Sequence, residues 1–201
     1  MSRPSETSPR VPETHSQAEY SPQERKLLLQ VAHNAILSSL EGREISESSF
    51  SPHLSEPRGA FTTLYCQGKL RGCVGYPMPS LPLFRTVIET ARAAAFDDPR
   101  FVPLSLDEAR DPSVSISVLS PLEPISPEQV EVGRHGLLVS DGVRRGLLLP
   151  QVPLEHGWDR IAFLEQTCRK AGLPLDAWRM GASIEAFTAE VFGDEDEELH
   201  R

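Results

Sequence analysis

The chain has 201 residues, 39% of them hydrophobic and 24% charged, a balance that predicts one compact domain or two small subdomains sharing a core. It contains no apolar run of about 18 residues, which excludes a transmembrane helix, and its polar N-terminus lacks the apolar core of a secretory signal, so we expect a cytoplasmic protein. The net charge of −9 and the absence of a Lys/Arg cluster disfavour nucleic acid as a partner.

Both ends of the chain have the composition of disordered tails. Residues 1–20 are polar and rich in Pro and Ser, and residues 194–201 are acidic. Neither stretch has an apolar periodicity that could bury surface. The folded domain is therefore predicted to occupy residues 21–193.

The N-terminal half of this domain predicts a helix, a β-hairpin and a second helix. Ser21 and Glu24 match a capping box, and apolar residues at helical spacing follow as far as Gly42. Aromatic and β-branched residues then indicate two strands joined by a glycine turn, followed by another helix with one apolar face. The predicted elements are a helix over 21–42, strands over 60–66 and 69–74, and a helix over 80–96 that Asp98-Pro99 ends.

The C-terminal half predicts more strands, separated by one helix. Serines alternate with apolar residues over 113–118, which is typical of a half-buried strand. A hairpin turns at Asp141-Gly142, a helix follows over 158–171, and a last strand covers 187–191. Because strands come in hairpins, with helices between them rather than after every strand, we predict an α+β fold with an antiparallel sheet flanked by helices.

The segment with the clearest chemical signal is 70–75, where the second strand runs into a loop. Cys73 lies between Gly72 and Gly75, and glycines there allow the backbone to approach another group closely or to take a positive φ. Arg71 lies on the same strand face as Cys73 if the strand is regular, and a guanidinium there favours the thiolate. The alternative interpretation is that Cys73 is a small buried residue at a tight bend.

Three further residues are candidates for the same site. Arg100 is able to bind an anionic ligand, or to lock the turn through Asp98. His135, between two glycines, is a candidate base for Cys73 if the fold brings them together, and otherwise a histidine in a solvent-facing turn. Gln151, after a strand, either contacts a ligand through its amide or satisfies backbone groups of a loop.

The cysteines and histidines do not form a metal or disulfide pattern. Cys66, Cys73 and Cys168 are odd in number and widely spaced, so we expect reduced thiols. No CxxC, HExxH, GxGxxG, P-loop or GxSxG motif occurs, and an iron–sulfur CxxxCxxC is absent as well. We therefore predict neither a metal site nor a cofactor in this chain.

Several of these segments, taken in order, resemble the AMMECR1 domain family over about residues 22–192. The matching segments are LRGCVG at 70–75, RGAFTTL at 58–64, AAFDDPRF at 94–101, VSISVLSP at 114–121, GRHGL at 133–137 and LLPQV at 148–152. The family signature is usually LRGCIG, so Val74 replaces an isoleucine of similar volume. The chain looks most like the bacterial branch called AmmeMemoRadiSam system protein A.

The resemblance implies an α+β fold of two unequal subdomains, and it implies a Memo-like protein and a radical SAM protein as partners. It supplies no reaction. Two hypotheses follow. In the first, the protein is an enzyme or enzyme subunit with a cleft around Cys73 for a small substrate, Arg71 or Arg100 holding an anion and His135 acting as base. In the second, it is a non-catalytic module that binds a ligand or partner, and Cys73 is structural.

Overall fold

A computed structural model describes residues 18–43, 50–110 and 112–198. Its helices are α1 (Pro22–Glu41), α2 (Leu83–Phe96), α3 (Val152–His156), α4 (Arg160–Lys170) and α5 (Asp194–Glu198). Its strands are β1 (Ala60–Cys66), β2 (Lys69–Tyr76), β3 (Ser113–Leu119), β4 (Glu123–Pro124), β5 (Gly136–Asp141), β6 (Arg144–Leu148), β7 (Ser183–Phe187) and β8 (Ala189–Gly193). None of the helices in these ranges is long and apolar enough to cross a membrane.

The first sheet is antiparallel, with strand order β2-β1-β3-β8, and the helices α1 and α2 cover one of its faces. Successive side chains of a strand point to opposite faces, so on β1 and β3 buried residues alternate with half-buried ones. The buried set packs with the helices into the first hydrophobic core. Its members include Leu28, Ile36, Leu64, Val87, Ile116 and Phe192.

The second sheet is also antiparallel, with strand order β4-β7-β5-β6, and α4 packs against β5 and β6. Its hairpin turns at Gly142, whose φ of 59° lies in the left-handed region that glycine tolerates. A separate core lies between this sheet and α4. It includes Leu137, Val139, Phe163, Leu164 and Ile184. The α+β prediction is confirmed, with the antiparallel strands divided between two sheets.

The chain passes between the two sheets at Ser120 and again at Thr188. The Ser120 N–H donates to the Thr188 carbonyl (2.9 Å), and the Thr188 N–H donates to Ser120 Oγ (3.0 Å). The sequence predicted one strand over 187–191, but the structure divides this stretch into β7 and β8, which belong to different sheets. The alternation of apolar residues continues through Thr188, so the sequence pattern did not reveal the change of sheet.

The first helix is as predicted. Ser21 and Glu24 form a reciprocal capping box, and Gly42 ends the helix in a left-handed conformation with φ 63°. Two residues of the predicted N-terminal tail, Glu19 and Tyr20, contact the folded body. The Tyr20 ring is 1% exposed and stacks on His53. The first 17 residues of the predicted N-terminal tail lie outside the described residues.

The predicted acidic tail also begins within the folded body. Asp194 starts α5, and its Oδ2 accepts from the Val114 N–H (2.7 Å) and contacts His33 Nε2 (2.9 Å). These contacts hold the pKa of Asp194 below its ordinary value, although burial opposes the shift most strongly. The end of the chain is therefore tied to α1 and β3 at this residue.

Candidate functional site

Both glycines of the LRGCVG segment make room for other parts of the protein. A Cβ on Gly72 would lie 2.0 Å from the Ala94 carbonyl oxygen, so Gly72 lets the α2 backbone approach β2. A Cβ on Gly75 would lie 2.0 Å from the ring of Phe61 on the neighbouring strand. The groups that approach these glycines are α2 and Phe61, and contact of Gly72 or Gly75 with a substrate stays a prediction.

Cys73 points to the sheet face opposite α2. Thr63 lies directly across from it on β1, and Ser115 lies across from Thr63 on β3. The Thr63 hydroxyl donates to Cys73 Sγ at 3.3 Å. Ser113 and Ser117 continue this pattern along β3, and all five side chains are half-buried. We name this set, Thr63, Cys73, Ser113, Ser115 and Ser117, the hydroxyl face.

The backbone of Cys73 is held by the segment that follows α2. β2 is an edge strand, and the Cys73 N–H donates to Asp98 Oδ2 (2.9 Å) while Arg100 Nη2 donates to the Cys73 carbonyl (3.3 Å). Asp98 and Arg100 also form an ion pair at 2.7 Å. We call these two residues the Asp98–Arg100 clasp. It occupies the N–H and the carbonyl of Cys73, which on an edge strand would otherwise be open to pairing.

The clasp joins a buried carboxylate to an exposed guanidinium, because the Arg100 side chain is 56% exposed. The Asp98 side chain is 3% exposed, and hydrogen bonds from Arg100 and then from the Cys73 N–H hold its pKa far below the ordinary range, against the effect of burial. The pKa of Arg100 is raised, first by its hydrogen bond to Asp98 and in smaller part by the Cys73 thiol. The turn-lock interpretation of Arg100 is therefore present in the structure, and an anion-binding role stays a prediction.

Arg71 does not continue the regular pattern of β2. The register between β1 and β2 shifts at Leu64/Tyr65, so Arg71 has no residue opposite it, and the alternation assumed between Arg71 and Cys73 does not hold. Arg71 Nε donates to Glu108 Oε1 at 2.9 Å, and this contact is the main reason that the pKa of Glu108 falls to about 2. The thiol that interacts electrostatically with Arg71 is Cys66.

His135 lies in the second sheet region, immediately before β5, and lines a cavity of about 430 Å³ at the junction of the sheets. Ser120 also lines this cavity. Ser120 follows Ser115, a member of the hydroxyl face, by five residues, and five residues of a strand span roughly 16 Å. No hydrogen bond between the described residues joins His135 to Cys73, so the structure gives no support to His135 as the base for Cys73.

Gln151 is the N-cap residue of α3 and is exposed. Its carbonyl accepts from the Glu155 N–H at 3.0 Å, and a ligand contact through its amide stays a prediction. Within residues 18–43, 50–110 and 112–198, no group of three or more His, Cys, Asp or Glu side chains is placed to hold a metal ion.

Sequence reasoning missed two parts of the Cys73 site. The serine alternation on β3 correctly indicated a half-buried strand, but it did not identify Ser115 as a neighbour of Thr63 in front of Cys73. Asp98 was considered as a helix stop and as a partner of Arg100, and its bond to the Cys73 backbone connects residues 25 positions apart. Strand pairing across three strands could have suggested the first feature once the order β2-β1-β3 was assumed.

Comparison with known proteins gives a consistent assignment. The AMMECR1 family model matches residues 29–192. A protein of Methanopyrus kandleri is 45% identical over 193 residues, covering 88% of this chain and 91% of its own. A protein of Aquifex aeolicus is 40% identical over 179 residues, covering 84% and 92%. The crystal structure of protein PH0010 from Pyrococcus horikoshii is 43% identical, with a TM-score of 0.75 and coverage of 84% and 90%. This chain belongs to the AMMECR1 family.

Proposed function

We propose that the protein is a binding module whose hydroxyl face recognises a small polar ligand, with Cys73 contributing a contact rather than a nucleophile. The observation that carries this proposal is the row Cys73–Thr63–Ser115, which runs across three strands on the half-buried side of the first sheet. The hydroxyls in this row are both donors and acceptors, so they suit a ligand rich in hydroxyl, amide or carbonyl groups.

The surroundings of the thiol support recognition over catalysis. A nucleophilic cysteine is activated by an adjacent base or by a lowered pKa, and the side chain that hydrogen-bonds to Cys73 in the described part of the chain is Thr63. Threonine is no general base at neutral pH. The Cys73 N–H donates to Asp98, so it is not free to stabilise an oxyanion.

A second candidate is an enzyme or enzyme subunit that uses Cys73 as nucleophile or proton donor. The specific observation in its favour is that the thiol is half-buried and accepts a hydrogen bond from Thr63. In either proposal the partners implied by the family resemblance, a Memo-like protein and a radical SAM protein, would be sought by co-purification with the tagged chain.

The two candidates separate on substitutions of the hydroxyl face. Cys73→Ser keeps the size and the hydrogen-bonding ability of residue 73 but removes a thiol nucleophile. Ser115→Val removes the hydroxyl of residue 115 and leaves a β-branched side chain that suits a strand. In a growth-complementation assay of a strain lacking the gene, the binding proposal expects Cys73→Ser to function and Ser115→Val to fail.

Ser183→Val is the matched control, because Ser183 is an exposed strand serine of the second sheet. It should complement like the wild type, and thermal unfolding should show that all three variants fold. A folded Cys73→Ser variant that fails while Ser115→Val complements would reject the binding proposal and establish the cysteine enzyme.

A further inference from the structure

The last strand of the second sheet, β6, has an open edge. In the order β4-β7-β5-β6 it pairs with β5, and α4 packs on one of its faces. The turn between β5 and β6 has two residues, so Asp141 and Arg144 form a hydrogen-bonded pair, and bonded and non-bonded pairs alternate from there. The N–H and carbonyl groups of Arg145 and Leu147 therefore point away from β5. Within the described residues, neither of the two forms a backbone hydrogen bond outside this ladder.

This edge differs from the edge of the first sheet at β2. There the Asp98–Arg100 clasp occupies the N–H and the carbonyl of Cys73. On β6 the outward groups of Arg145 and Leu147 form an alternating row of donors and acceptors, which is the pattern that an added strand uses for binding. The second sheet is therefore able to accept one more extended segment beside β6.

Basic side chains surround the open edge. Arg144 and Arg145 are both exposed, and as successive residues of a strand they lie on opposite faces of the sheet. Arg169 and Lys170 are exposed at the end of α4. This end of the helix lies against the strand, since a Cβ on Gly146 would be 2.6 Å from the carbonyl carbon of Lys170. None of the four basic side chains takes part in an ion pair within the described residues.

The charge of the edge determines which partner fits it. Pairing of β6 with β6 of a second copy would bring the arginines of both copies together, and like charges on neighbouring strands are destabilising. β6 itself contains no acid, and Asp141 lies on the β5 side, opposite Arg144. An acidic strand on the open side would gain from opposite-charge pairs. The net charge of −9 disfavours nucleic acid as the occupant, and charges more than about 8 Å away are largely screened at physiological salt.

The alternation of β6 also indicates the sequence that fits beside it. Successive residues face opposite sides, so two consecutive acids place one carboxylate beside Arg144 and the other beside Arg145. Leu147 and Leu148 are half-buried and also lie on opposite faces. Apolar β-branched residues next to the acids would cover both leucines.

We propose that β6 is the docking edge for an extended acidic segment of a partner protein, which adds to the four-stranded second sheet as a further antiparallel strand. The segment has two consecutive Asp or Glu residues beside Arg144 and Arg145, and β-branched residues beside Leu147 and Leu148. Antiparallel addition continues the pairing of the existing strands. This edge is independent of the hydroxyl face, which belongs to the first sheet.

A blocked pentapeptide with the sequence Val-Thr-Val-Glu-Glu is a suitable probe, and Val-Thr-Val-Gln-Gln is the matched uncharged control. In two-dimensional amide NMR of the full chain, the acidic peptide should produce saturable shifts at Arg145 and Leu147. At saturation, hydrogen exchange of these two amides should slow at least about tenfold, because their N–H groups become bonded. The uncharged peptide should bind about tenfold more weakly. Equal binding of the two peptides, or shifts without slower exchange at these amides, would overturn the proposal.

Variants test the assigned side chains. Arg145→Gln should weaken binding of the acidic peptide several-fold, and Arg144→Gln combined with it should weaken binding about tenfold. Arg92→Gln is the matched control, because it removes an exposed arginine from α2, and it should leave binding unchanged. The amide spectrum reports whether each variant folds. Unchanged binding in the folded double variant would contradict the assignment.

Two further measurements separate this edge from other binding modes. Cys73→Ser should bind the acidic peptide like the wild type, since the hydroxyl face lies on the other sheet. Oligodeoxythymidine should not shift the Arg145 and Leu147 amides, and exchange of these amides in the free protein should not depend on protein concentration. Tighter binding of the oligonucleotide than of the peptide, or protection that grows with protein concentration, would assign the edge to nucleic acid or to a second copy and reject the acidic segment.

Discussion

Asp98 is the residue on which the geometry of Cys73 depends most directly. Its carboxylate accepts four hydrogen bonds, from the Cys73 N–H and from the backbone N–H, Nε and Nη2 of Arg100. Burying a charge is costly unless it is paired and hydrogen-bonded, and here both conditions are met. The clasp therefore holds the backbone of the strand that carries the Cys73 thiol. Asp98 bonds to the Cys73 N–H and not to its sulfur.

Asp98→Asn should destabilise the fold by about 1–3 kcal/mol at neutral pH, since a charged acceptor is lost and Arg100 is left unpaired. The pKa of Asp98 is lowered in the folded state, so its stabilisation is present above the ordinary value and is lost as pH falls below about 4. Urea unfolding at neutral pH and near pH 3 measures both effects.

Asp97→Asn is the control for this experiment, because Asp97 is an exposed acid next to Asp98. The wild type and Asp97→Asn should lose stability in acid, and Asp98→Asn should lose distinctly less between the two pH values. Parallel acid dependence in Asp98→Asn and the wild type would show that the carboxylate of Asp98 does not carry the stabilisation assigned to it.

At the scale of the elements, the close contact between β2 and α2 determines where β2 lies. Gly72 is buried and faces the Ala94 carbonyl. The short distance between the strand and the helix is therefore possible only because residue 72 has no Cβ. Because β2 also carries Cys73, any displacement of the strand from α2 would move the thiol relative to Thr63. Packing against the helix and the position of the thiol on the opposite sheet face are thus coupled through one strand.

Gly72→Ala should therefore cost about 3 kcal/mol, since overpacking against backbone atoms cannot be relieved by a side-chain rotation. Gly142→Ala is the comparison, because a Cβ there meets open space and the cost, about 1 kcal/mol, comes only from its φ of 59°. Thermal and urea unfolding give both values. A Gly72→Ala variant as stable as Gly142→Ala would contradict the close strand–helix contact.

The elements that the sequence predicted well are those with local signals. The capping box of Ser21, the glycine turns and the serine alternation of β3 depend on residues a few positions apart, and each formed as expected. The features that escaped prediction depend on distant partners. The bulge at Arg71, the change of sheet at Thr188 and the place of His135 follow from pairing between segments, which periodicity along one segment does not reveal.

At the scale of the whole molecule, the two sheets have separate cores. The hydroxyl face belongs to the first sheet, and His135 lies immediately before β5 of the second. The sequence offered His135 as a base for Cys73 only if the fold brought the two together, and no hydrogen bond between the described residues joins them. The row Cys73–Thr63–Ser115 is the main reason for preferring a binding module over a nucleophilic enzyme.

Mass spectrometry of the protein purified from its own cells tests this account most directly. Under native conditions the wild type and Cys73→Ser should carry the same additional mass, and Ser115→Val should lack it. Under denaturing conditions that mass should disappear from every sample, because the ligand is held by hydrogen bonds to the hydroxyl face. An added mass that survives denaturation in the wild type and is absent from Cys73→Ser would establish a covalent bond to the thiol and contradict the binding module.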